Sequence, residues 1–218
     1  MFCIIPHGCS GQITRTGMRF NAWGVTVSIG FPFAAAVTLM LFYDASGTIA
    51  CLSAALFHEG GHLLCLKGCG ETPRELRLGF AGMEMIRSKG QRLSFAQEVA
   101  AALSGPAANL FLFTLLSACG VWRRDARLLG AALVNLSLAL FNLLPVSALD
   151  GGRALYFFLC RKYTMRTAHR VVTVLSALCL LPCAFFGFFL LLRSGYNISL
   201  LLAVGYLCFL LAARGVDF

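Results

Sequence analysis

Long apolar runs separated by short polar segments are the dominant pattern along this chain of 218 residues. About 20 apolar residues are enough to carry a helix across the hydrocarbon core of a bilayer, and most of the runs reach or approach that length. We therefore predict an all-α integral membrane protein with about six transmembrane helices. The predicted crossings are residues 23–42, 48–66, 95–119, 128–144, 171–192 and 199–213.

Two local patterns lie between the second and third runs. Residues 75–86 alternate apolar and polar side chains around Ala81-Gly82, which predicts a small membrane-associated β-hairpin, with an amphipathic loop as the alternative. Ser94 and Gln97 have the capping-box spacing that starts a helix. Since no repeat or second soluble domain is visible, we expect one membrane-embedded domain over residues 1–218, with its core at about 20–160 and accessory helices at 171–213.

Composition and charge agree with a membrane protein. Hydrophobic residues make up 59% of the chain and charged residues only 12%, whereas about 25% of an average soluble domain is charged. If the N-terminus is cytoplasmic, 14 of the 18 Lys and Arg residues fall in cytoplasmic segments, which predicts that both termini face the cytoplasm at the cell membrane. The net charge of +9 therefore indicates topology, and without a basic face interleaved with aromatics we expect no nucleic-acid partner.

The second apolar run contains the sequence His58-Glu59-Gly60-Gly61-His62. Histidines four residues apart lie on one face of a helix, where two imidazoles can share a metal ion. Glu59 points about 100° away, which suits a catalytic base better than a ligand. A carboxylate at membrane depth costs roughly 2.5–3.5 kcal/mol of insertion free energy. Because this segment keeps Glu59 despite that cost, we interpret it as functional. Gly60 and Gly61 are expected to leave room for a neighbouring helix or a substrate.

A third metal ligand is predicted at Asp150. Only Glu59 and Asp150, among nine acidic residues, lie in or at the edge of an apolar run beside helix-breaking residues. Pro145 and the glycines after Asp150 place its carboxylate on irregular backbone near the membrane, a geometry that is typical of a lined site. Two imidazoles and one carboxylate form a catalytic zinc set with one open position.

Three motifs in this order resemble the site-2 protease family of intramembrane zinc metalloproteases, peptidase family M50. They are residues 58–62, residues 104–109 (Ser-Gly-Pro-Ala-Ala-Asn), and Asn142-Leu143-Leu144-Pro145 leading to residues 149–153. The resemblance implies one Zn²⁺ per chain, bound by His58, His62 and Asp150, with Glu59 as catalytic acid and base. It also implies that Asn142 lies at the site, and that Asn109 helps to position the substrate or oxyanion.

The function that follows is hydrolysis of a peptide bond in a membrane-spanning or membrane-associated regulatory protein. Since no segment has the length of a PDZ insertion or a CBS pair, the chain is similar to the compact sporulation-type bacterial members, which process a membrane-associated precursor of a transcription factor. The expected partners are such a substrate, the lipid bilayer, and an inhibitory or activating membrane protein. The alternatives are a proteolytically inactive scaffold and a metal transporter, which metal-flux measurements would distinguish from a protease.

Overall fold

A computed structural model describes residues 17–22, 25–71, 73–79, 82–87, 93–194 and 204–208 of the chain. The chain divides into two compact units, Met1–Asn142 and Leu143–Phe218. Among the described residues, the first unit contains four helices and four strands, and the second contains two helices and a further helical segment. The helices of the first unit are α1 (Phe31–Tyr43), α2 (Ala45–Gly68), α3 (Phe95–Arg123) and α4 (Ala126–Asn142).

Helices α2 and α3 begin at side-chain caps that are readable in the sequence. The Asp44 carboxylate accepts hydrogen bonds from the Gly47 N–H at 3.0 Å and the Ser46 hydroxyl at 2.9 Å. These bonds lower the pKa of Asp44 because they favour its charged form, and the bond from Gly47 has the largest effect. Ser94 and Gln97 form the predicted capping box at the start of α3.

A four-stranded sheet lies in the first unit, with the strand order β1-β2-β3-β4. The strands are β1 (Gly17–Ala22), β2 (Val25–Gly30), β3 (Pro73–Gly79) and β4 (Gly82–Arg87). Strands β3 and β4, at the position of the predicted hairpin, pair antiparallel with Leu76 opposite Met85. Strand β2 pairs parallel with β3, so α1 and α2 form the crossover connection between them.

The prediction of one continuous crossing at residues 23–42 is wrong. Residues 25–30 form β2, and α1 has only 13 residues, which is about 20 Å of helix and too short to cross a bilayer core. The β-branched residues at positions 25–27 and 29 favour a strand. Pro32 then lies in the first turn of α1, where its missing N–H is tolerated. Apolar character alone does not distinguish a strand followed by a short helix from one long helix.

The second unit contains α5 (Asp150–Cys160) and α6 (Met165–Ser194). Helix α6 buries a stripe at four-residue spacing, and its other faces carry exposed apolar side chains, as expected of a lipid-facing helix. The buried stripe consists of Ala168, Val172, Ser176 and Leu180. Within the described part of the chain, this unit also contains a helical segment at residues 204–208.

In the part of the chain that the structure describes, three helices are long and apolar enough to cross a membrane: residues 45–68, 95–123 and 165–189. Helix α4 is apolar but shorter, with 17 residues. These helices indicate a membrane protein, whereas a count of six crossings and cytoplasmic termini stay predictions. Most of the predicted sixth crossing, at residues 199–213, lies outside the described residues.

Candidate metal centre

The two histidines of the α2 motif form a buried pair whose geometry suits one metal ion. His58 and His62 are each 2% exposed, and their Nε2 atoms are 3.3 Å apart. Two nitrogens bound to one tetrahedral zinc at 2.0–2.1 Å would be about 3.3–3.4 Å apart. The rings meet at 82°, so they approach edge to face rather than stacking. The pair therefore has the separation that a shared metal ion requires.

A backbone carbonyl on α3 sets the orientation of the second histidine. The Nδ1 atom of His62 is 2.7 Å from the Ala101 carbonyl oxygen, which can only accept, so Nδ1 carries the proton and donates it. The Nε2 lone pair then remains for a metal. The Ser104 hydroxyl donates to the same carbonyl at 2.8 Å, which further fixes this contact.

Two glycines allow α3 to approach the motif closely. A Cβ at Gly105 would lie 2.7 Å from Cδ2 and Cε1 of His62 and closer still to Nε2, so it would overlap the ring. A Cβ at Gly61 would lie 2.5 Å from the Ser104 carbonyl oxygen. Gly61 thus leaves room for a neighbouring helix, as expected, whereas a Cβ at Gly60 would meet nothing within 4 Å.

Glu59 is buried beside the histidine pair, with an exposed fraction of 6%. It follows His58 directly on α2, so its side chain leaves the helix about 100° around the axis from that histidine. A carboxyl group held in a buried position next to two metal-binding nitrogens can accept and return a proton, provided that it does not itself become a ligand.

Asn109 and Asn142 lie at the level of the metal motif in the same unit. Helices α2 and α3 run antiparallel, since Leu66 packs with Ala101 while Gly61 lies against Ala108, so Asn109 is near the height of His58. One tight turn joins α3 to α4. Asn109 and Asn142 are about equally far from this turn along their helices, so they are level with each other to within about one helical turn.

The two asparagines differ in their hydrogen bonding. Asn109 is fully buried, and neither end of its amide has a hydrogen-bond partner among the described residues. Asn142 is 5% exposed and donates one amide proton to the Leu138 carbonyl at 2.9 Å, which leaves its Oδ1 as an acceptor. A buried amide without partners costs about 1–3 kcal/mol, so Asn109 is not explained by stability.

Asp150, the third predicted ligand, belongs to the second unit, where it is the first residue of α5 and 1% exposed. A carboxylate at this position is favoured by the helix dipole. The preceding turn is held by bonds from Val146 N–H to the Leu144 carbonyl and from Leu149 N–H to the Val146 carbonyl, both 2.8 Å. Gly151 and Gly152 pack against the backbone of this turn, where a Cβ would overlap carbonyl groups at Leu143 and Val146.

Sequence reasoning missed the residues that support these side chains. Ala101 contributes only its carbonyl, which no sequence pattern marks. Gly105 was noted only as one residue of the motif at 104–109, and its contact with His62 depends on the register of α2 against α3. The hydroxyl of Ser176, which bonds the turn before Asp150, gave no signal because it is one polar residue within an apolar run.

Comparisons with known proteins find similarity over parts of this chain. The model of peptidase family M50 matches residues 121–182, which include Asn142 and Asp150. Rip3, designated a zinc metalloprotease, is 31% identical in two strains of Mycobacterium tuberculosis, Erdman and H37Rv, over 128 residues. The match covers 55% of this chain but only 32% of Rip3, so the chain spans about a third of the curated relatives' length.

A solved structure is similar in fold. The site-2 protease from Methanocaldococcus jannaschii superposes with a TM-score of 0.65 over 88% of this chain and 92% of that one, at 21% identity. At this level of sequence identity, the structural similarity shows a shared fold and no more. The family model and the relatives add evidence from sequence. The family model, the relatives and the fold together support the site-2 protease family, peptidase family M50, for this chain.

Proposed function

We propose that this protein is an intramembrane zinc endopeptidase that cleaves a membrane-spanning or membrane-associated regulatory protein. The observation that carries the proposal is the buried pair of Nε2 atoms, 3.3 Å apart, with Glu59 next to it on an apolar helix. The match to the model of peptidase family M50 and the designation of Rip3 support the same chemistry.

Zinc would be held by His58, His62 and Asp150, which together are a suitable donor set for one metal ion. All three are buried, and two imidazoles with one carboxylate match the composition of catalytic zinc sites. When bound, zinc polarises a substrate carbonyl and makes water a stronger acid.

The protein's own groups complete the reaction. A carboxylate oxygen of Glu59 accepts a proton from the attacking water as the new C–O bond forms, and then delivers this proton to the amide nitrogen, which leaves as the amine when the C–N bond breaks. The Ala101 carbonyl keeps His62 in one tautomer and orientation throughout. Burial of the site excludes bulk water and strengthens each of these interactions.

Metal removal tests this function directly. We expect zinc at about one per chain in the purified protein, and loss of cleavage on treatment with a chelator, since three protein ligands leave an exchangeable position. Zinc should restore cleavage of a panel of quenched fluorescent single-span peptides. Asp150→Ala should lose zinc on dialysis and should not be restored. A metal flux across proteoliposomes without any peptide cleavage would instead support the transporter.

Asn109 and Asn142 are proposed to position the substrate. The amide of Asn109 lacks a partner among the described residues, and a peptide carbonyl that develops negative charge is a suitable acceptor for its N–H. We expect Asn109→Ala to lower kcat/KM about 10²–10³-fold with zinc content unchanged, as for other oxyanion donors. The proposed role of Asn142 predicts a loss in Asn142→Ala as well, again at constant zinc content.

Asn135→Ala is the matched control for both asparagine variants. Like Asn142, Asn135 is buried on α4 and donates to a carbonyl one turn earlier, in this case that of Ala131. It should retain kcat/KM within a fewfold. If Asn109→Ala behaves like Asn135→Ala, Asn109 does not contact the reacting group.

A further inference from the structure

Ser176, in the middle of α6, is a fully buried polar residue on an otherwise apolar stripe. Its hydroxyl donates to the Val172 carbonyl on its own helix at 2.7 Å. Its oxygen accepts the N–H of Ser147, a residue 29 positions earlier in the chain, at 2.9 Å. The Pro145 carbonyl oxygen is 3.4 Å away. One hydroxyl thus ties α6 to the segment between Pro145 and Asp150.

This segment has little else to define its shape. It lies between the end of α4 and the start of α5, and no helix or strand includes residues 143–149. Its two internal bonds use the N–H groups of Val146 and Leu149, so they leave the N–H of Ser147 to an acceptor from outside the turn. Ser176 is that acceptor. Val146 and Leu149 are buried on either side, at 0% and 2% exposure, so water is a poor substitute.

We propose that Ser176 is a positioning residue for the Asp150 carboxylate. Asp150 follows this turn directly, and the Leu149 carbonyl accepts the N–H of Arg153 at 3.1 Å in the first turn of α5. A shift of the turn therefore moves the start of α5 and the carboxylate with it. Ser176 acts through the backbone of Ser147 and touches neither substrate nor metal in this role.

The role of Ser176 rests on the proposed function, in which Asp150 is the third zinc ligand. Groups that orient metal ligands without binding the metal typically contribute 10–100-fold to metal affinity. Ser176→Ala would leave the Ser147 N–H without its acceptor and loosen the ligand. A purely structural role would lower stability in the metal-free and zinc-bound proteins alike, whereas positioning appears as weaker zinc binding.

The experiment measures zinc affinity by chelator competition in detergent-solubilised full-length protein, together with thermal unfolding of the metal-free forms. We expect Ser176→Ala to weaken zinc binding about 10–100-fold. Ser176→Cys, which retains a weak acceptor, should fall between Ser176→Ala and the parent. Thr173→Ala removes a hydroxyl from the same helix, one that does not bond to the described residues of the turn, and should stay within about twofold of the parent.

Asp150→Ala separates the two hypotheses. If Asp150→Ala loses zinc but Ser176→Ala binds it as the parent does, Ser176 has no positioning role and the proposed ligand set stands. If Asp150→Ala itself binds zinc normally, the ligand set is wrong and the role of Ser176 falls with it. Should Ser176→Ala fail to fold, the Ser176→Cys affinity decides, with parental binding contradicting the proposal.

Discussion

Glu59→Gln is expected to lower kcat for peptide cleavage by about 10²–10⁴-fold, the usual contribution of a general acid–base group. Glutamine has nearly the same shape as glutamate but cannot accept a proton at neutral pH. Because Glu59 is not a proposed ligand, zinc should remain at about one per chain. The measurement pairs cleavage of a single-span peptide panel with metal analysis of the same preparation.

Glu98→Gln is the matched control for Glu59→Gln, since Glu98 is a similarly buried glutamate in the first unit, at 8% exposure. Glu98 belongs to the first turn of α3, where a negative charge stabilises the helix. Loss of this charge should therefore lower stability more than it lowers cleavage per folded molecule. Cleavage by Glu59→Gln at the parental rate would exclude Glu59 as the base. Loss of zinc from Glu59→Gln would instead assign it to the metal.

Gly105→Ala is expected to weaken zinc binding at least tenfold, in the range found when the supports of a metal ligand are altered. The new methyl group would overlap the His62 ring, so the ring must turn or α3 must move away from α2. Either change disturbs the bond from Nδ1 to the Ala101 carbonyl and the 3.3 Å spacing of the two Nε2 atoms. Chelator competition on the purified protein measures the effect.

Gly60→Ala is the control for Gly105→Ala, because it also adds one methyl group to a membrane helix but meets nothing within 4 Å. It should bind zinc normally and stabilise α2, since alanine is favoured over glycine by about 1 kcal/mol in a helix interior. Parental zinc affinity in Gly105→Ala would show that His62 tolerates displacement and that the close approach of α3 does not define the site.

The sequence predicted the helices better than it predicted the segment before them. Residues 48–66 and 95–119 were expected to be crossings and lie within α2 and α3, because a long apolar run with a cap admits few other structures. Residues 25–30 were misassigned, since β-branched residues within an apolar run fit both a strand and a membrane helix. Their strand conformation depends on hydrogen bonds to the adjacent strand β1 and to β3, and the pairing with β3 joins residues 49 positions apart, such as Thr26 and Glu75.

What the sequence by itself determined is which side chains are candidates for the site. The four-residue spacing of His58 and His62 corresponds to one helical turn, so a local pattern was enough to bring the two imidazoles together. The position of Glu59 followed from the same helix. Residue types alone also marked Asp150, an acid at the edge of apolar segments, as the candidate for a third ligand.

Only the tertiary structure decided how these groups are held. The tautomer of His62 depends on the Ala101 carbonyl, and the turn before Asp150 depends on the Ser176 hydroxyl, contacts between residues 39 and 29 positions apart respectively. Every residue has a backbone carbonyl, so the sequence cannot indicate which carbonyl accepts a hydrogen bond from a metal-binding side chain. Which glycine contacts His62 depends on the register between α2 and α3, which the packing of whole helix surfaces sets.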